Sequence, residues 1–62
     1  MLKILYDINN IVGDIQAVAK HIYENAANMT MYQLDKETEK LIKLTNKLEI
    51  ATQKLYSKVD LD

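Results

Sequence analysis

The chain contains no cysteine, no proline, no tryptophan, no phenylalanine and no arginine, and Gly13 is its one glycine. Without cysteine there is neither a disulfide framework nor a thiolate zinc site, and the expected setting is the reducing cytoplasm. With no proline and a single glycine there is little chemistry for tight turns, so the chain is predicted to be all-α. Without arginine it lacks the side chain that grips phosphates and base edges with two parallel hydrogen bonds. Its eight basic residues are lysines set among nine acids, for a net charge of −1. That balance argues against a nucleic-acid binder, which would show a basic face. No apolar run approaches the roughly 20 residues of a membrane span, and the N-terminus lacks the charged region, apolar core and cleavage site of a signal peptide. The expectation is a soluble, unprocessed protein with no membrane span.

At 62 residues the chain has room for one domain, 1–62, and buries a small share of its surface when it folds. Such a core is marginal without disulfides, metal or oligomerisation.

What is present is a seven-residue rhythm in each half. In the first half, Ile8, Ile15, Ile22 and Met29 form one row, and Ile4, Ile11, Val18 and Asn25 form a second. In heptad terms these are a and d positions. The e positions, Leu5, Val12, Ala19 and Ala26, are apolar too, which makes a face wider than a two-stranded seam. In the second half, Leu34, Leu41, Leu48 and Leu55 form the main row, with Leu44 and Ala51 three residues after two of them. Thr38, Thr45, Thr52 and Val59 follow each leucine by four residues, and Lys40, Lys47 and Lys54 flank the seam. The leucines are the packing knobs. The threonines suit the edge of the same face, with a methyl turned inward and a hydroxyl able to reach a backbone carbonyl.

The two stripes cannot share one helix, because Met29 and Leu34, five residues apart, would stand about 140° apart around it. The chain must turn there. Thr30 with Gln33 three residues later reads as a capping box, and Met29 with Leu34 as a hydrophobic staple. The helices are therefore predicted at about 3–27 and about 31–59, with a turn at about 28–30. Folded antiparallel about that turn, Ile4 meets Leu55, Ile11 meets Leu48, Val18 meets Leu41 and Asn25 lies near Leu34. One hairpin leaves Ile8, Ile15, Ile22 and Leu44 uncovered, so these are the candidate self-association residues of a dimer that closes into a four-helix bundle. The architecture is similar to that of the plasmid-copy-control RNA-binding hairpin dimers.

No catalytic constellation is spaced along the chain. Ser57 is the lone serine and His21 the lone histidine, each on a different predicted helix, so no nucleophile and base are paired, and the expectation is a protein that is not an enzyme. His21 has Asp14 before it and Glu24 after it, but Asp14 and His21 lie about 10.5 Å apart along a helix, too far to hold one ion. No metal and no cofactor are implied. Residues 34–42, L-D-K-E-T-E-K-L-I, resemble a segment of the small two-helix aspartyl-phosphate phosphatases acting on sporulation response regulators, whose motif reads Leu-Ser-Gln-Glu-Leu-Asp. Leu34 and Glu37 match. Asp35 stands where that family has serine and Glu39 where it has its key aspartate, so the resemblance implies no phosphatase activity.

The open end of the predicted hairpin gathers Leu2, Leu5, Tyr6, Tyr56 and Leu61. Aromatic and aliphatic clusters at exposed ends mark interfaces, so this end is either buried by the dimer or the docking patch of another, unidentified protein, for which these five are the candidate binding residues. The expected function is a small self-associating interaction module: a regulator, inhibitor or assembly factor. The alternative is a nucleic-acid-binding hairpin dimer that uses the second-helix lysines.

Overall fold

The computed structural model describes residues 2–61, with side chains described for 2–58. Among these residues there are two helices and no strand: α1, Leu2–Asn25, and α2, Met31–Leu61, joined through one turn of 3₁₀ helix at Ala26–Asn28. The helices pack against each other as an antiparallel hairpin, 49 × 15 × 11 Å. No helix among the described residues is long and apolar enough to cross a membrane.

The turn follows from local hydrogen bonding. Thr30 N–H donates to Gln33 Oε1 at 3.0 Å and Gln33 N–H donates to Thr30 Oγ1 at 3.1 Å, so the capping box satisfies both partners reciprocally. Leu34 N–H donates to the Thr30 carbonyl at 2.9 Å, which starts α2. Met29 and Leu34, on either side of that start, are both half-buried. The first helix ends two residues earlier than its apolar rhythm suggested. Asn25 explains this: its side-chain amide donates to the His21 carbonyl at 2.9 Å, and its backbone, at φ −119° and ψ 0°, has left the helical region. An asparagine that bonds locally in this way competes with the helix ladder, and the chain tightens into the 3₁₀ turn that follows.

Both heptad rows of α1 face α2. Ile4, Ile8, Ile11, Ile15, Val18, Ile22 and Asn25 are the half-buried residues along it, with Val12 beside them. On α2 the half-buried set is Leu34, Glu37, Leu41, Leu44, Leu48, Ala51, Thr52 and Leu55. Spacings alternating between three and four residues are those of a coiled-coil seam. Among the described residues none is buried. Two helices supply a line of contact, and part of every seam residue stays in water.

Gly13 lies on the outer face of α1, where an added Cβ would meet nothing within 4 Å, and its φ is not positive. Gly13→Ala is therefore expected to stabilise the fold by about 1 kcal/mol through helix propensity alone. At this chain length that raises the melting temperature by about 4–8 °C, which thermal circular dichroism will measure.

Candidate functional site

The seam divides the hairpin into two long edges of different chemistry. On one edge the d and g rows of both helices come together. Asp7 and Asn10 line a shallow groove there with Lys47 and Lys54 over Ile4 and Ile11. Further along, Asp14, Ala17 and Val18 face Lys40, Lys43 and Leu44, and near the turn His21 and Asn25 face Gln33 and Glu37. Every lysine-lined stretch of this edge thus carries an aspartate from the other helix.

The opposite edge holds the two e rows, Leu5, Val12, Ala19 and Ala26 from α1 with Thr38, Thr45 and Thr52 from α2. No charge occurs in either row. Each threonine hydroxyl is already engaged: Thr38 donates to the Leu34 carbonyl, Thr45 to that of Ile42 and Thr52 to that of Glu49, all at 2.8 Å. The edge therefore presents methyl groups and satisfied hydroxyls. Ile42, just outside the threonine row, is 55% exposed.

These edges sort the candidate self-association residues. Ile8, Ile15 and Ile22 are half-buried in the seam, in the row that borders the uncharged edge. Leu44 is not with them. It lines the charged groove beside Asp14 and Val18, because it stands in the α2 row that meets the d row of α1.

Glu37 occupies that same α2 row. Its carboxylate takes a seam position one heptad before Leu44, with 18% of the side chain exposed, and lies 3.8 Å from His21 Nε2 and 3.4 Å from Lys40 Nζ. Asn25 Nδ2 approaches His21 Nδ1 at 3.3 Å, so the layer next to the turn is polar where the others are aliphatic. Sequence reasoning set His21 beside Asp14 and Glu24 and missed Glu37. The available signal was its place in the row of Leu44 and Ala51, three residues after Leu34. Polar layers of this kind fix helix register. Among the described residues no three histidine, cysteine or acidic side chains are grouped to hold a metal.

At the open end, Leu2, Tyr6 and Tyr56 are largely exposed and Leu5 is 46% exposed. Leu5 belongs to the uncharged edge and Leu2 and Tyr56 flank it by their heptad positions, whereas Tyr6 falls on the outer face of α1, away from α2. The Leu61 side chain lies outside the described residues. Exposed apolar surface is not confined to this end. Tyr23, Met31 and Tyr32 are just as open near the turn, with Tyr23 at 88%, although Lys36 Nζ covers the Tyr32 ring from 5.4 Å. The tyrosines thus form one pair at each end of the rod.

Compared with known proteins, the chain matches no family model, no curated protein and no solved structure, and its likeness to the phosphatase segment over residues 34–42 has no further support.

Proposed function

We propose that the chain is a non-enzymatic protein–protein interaction module, a helical hairpin that self-associates through the Ile8, Ile15 and Ile22 side and offers its apolar open end to another protein. The observation that carries this reading is the lack of any buried side chain among the described residues, in a molecule that leaves nine large apolar side chains exposed. A fold with so little interior gains most from covering its surface with protein. A regulator, inhibitor or assembly factor has these properties. Against the nucleic-acid alternative stand Asp7 and Asp14, which share their grooves with the lysines a phosphate backbone would need.

The test is affinity capture from cells of the source organism with paired variants. Tyr6→Ala with Tyr56→Ala is expected to weaken capture at least tenfold, about 1.4 kcal/mol of contact energy, without altering helicity. Lys40→Glu with Lys47→Glu is expected to leave capture intact. Capture that survives the tyrosine changes and is abolished by the lysine changes in a salt-sensitive way would transfer the function to the charged edge.

A further inference from the structure

The geometry points to a specific arrangement of the pair: a second copy of this chain covers the uncharged edge and runs in the opposite direction, so that the turn of each hairpin lies beside the open end of the other. This inference rests on the self-association proposed above and adds to it which edge is covered and in which direction.

The surface area calls for a second copy along the length of the rod. The chain exposes 5110 Å², whereas a compact folded protein of 7.2 kDa exposes about 4,100 Å². The excess, about 1,000 Å², is close to the roughly 800 Å² that each partner contributes to a standard interface. The radius of gyration agrees, at 14.6 Å against about 10.6 Å for a globule of this length.

Chemistry selects the edge. Covering the other side would take Asp7, Asp14, Lys40, Lys43, Lys47 and Lys54 out of water, and desolvating charges costs more than imperfect pairing returns. The uncharged edge carries no such cost. Its threonine hydroxyls are bonded within their own helix, so a covering chain leaves no donor stranded. Asp35 and Glu49 stand one row further out, at the rim of the proposed contact.

Side-chain size selects the direction. Along α1 the e row runs from large to small: Leu5, Val12, Ala19, Ala26. With both copies in the same direction, leucine would meet leucine at one end and alanine would meet alanine at the other, leaving an overpacked end and a hollow one. In opposite directions Leu5 of each copy meets Ala26 of the other, and Val12 meets Ala19, so every layer holds one large and one small residue. The threonine row of α2, alike along its length, fits either direction. This pairing takes Leu5 into the contact between the copies and leaves Tyr6, on the outer face, as an accessible part of the open end.

Two measurements test the arrangement, both on the full chain. Ala19→Glu places a carboxylate in the middle of the proposed contact and keeps a good helix former, so helicity is retained. It is expected to raise the dimer dissociation constant by about a hundredfold in sedimentation equilibrium, while Lys47→Glu on the other edge leaves it unchanged. A dimer indifferent to Ala19→Glu and broken by Lys47→Glu overturns the choice of edge yet leaves self-association standing. An unaltered chain that is monomeric removes self-association itself. For direction, the chain has no native cysteine, so Ser57→Cys, at the exposed open end, carries a single nitroxide. Opposite directions place the two labels about 40 Å apart by the helical rise, and a shared direction places them within about 20 Å by helix packing distances. The longer distance supports the arrangement and the shorter one overturns it.

Discussion

Ile15→Asp is expected to abolish cooperative folding. Ile15 sits midway along α1 in the half-buried row that borders the uncharged edge, on the side of α1 that packs against the half-buried residues of α2. No lysine belongs to that row. A carboxylate placed there must either remain charged without a partner or keep the two helices, and a second copy, apart to stay hydrated. The cost is several kcal/mol. The whole stability of a chain this short is about 3–9 kcal/mol, so the variant retains little or none of it. Circular dichroism should show a large loss of helix and a melt without a sharp transition. A cooperative melt within a few degrees of the unaltered chain would mean that Ile15 is not part of any contact that matters.

The second large effect is on concentration dependence. If folding and pairing are coupled, mass action links the melting temperature to the amount of protein, because dilution favours two unfolded chains over one folded pair. A hundredfold rise in concentration contributes about 2.7 kcal/mol per pair. Spread over the unfolding entropy of two 62-residue chains, this raises the melting temperature by roughly 10 °C. Scans over two decades of concentration will show the shift, and a melting temperature independent of concentration would mean that each hairpin folds alone.

Much of the fold was legible because periodicity and capping are local. The phase break between Met29 and Leu34 locates the turn, and Thr30 with Gln33 marks the start of α2 through hydrogen bonds that involve only neighbouring residues. The end of α1 was less legible, since Asn25 occupies a seam position by its spacing while its amide bonds the His21 carbonyl. Other features depend on how the two helices are rotated against each other, which no single stripe contains. Leu44 belongs to the apolar set by composition, but the rotation places it in the groove with Asp14 and Lys40. Glu37 looks like a surface acid in the run from Asp35 to Lys40 until the seam is laid out, and only then does it fall opposite His21. The same rotation separates Tyr6 from Leu2, Leu5 and Tyr56, which the sequence groups at one end. The uncharged character of the e rows could be read directly from the residues. That they share one edge, opposite the aspartates and lysines, could not.

Sedimentation equilibrium on the unaltered chain at micromolar concentration is the decisive measurement of self-association. A cooperatively folded species of twice the 7.2 kDa chain mass is expected. A single species of one chain mass, helical and melting sharply, would contradict self-association.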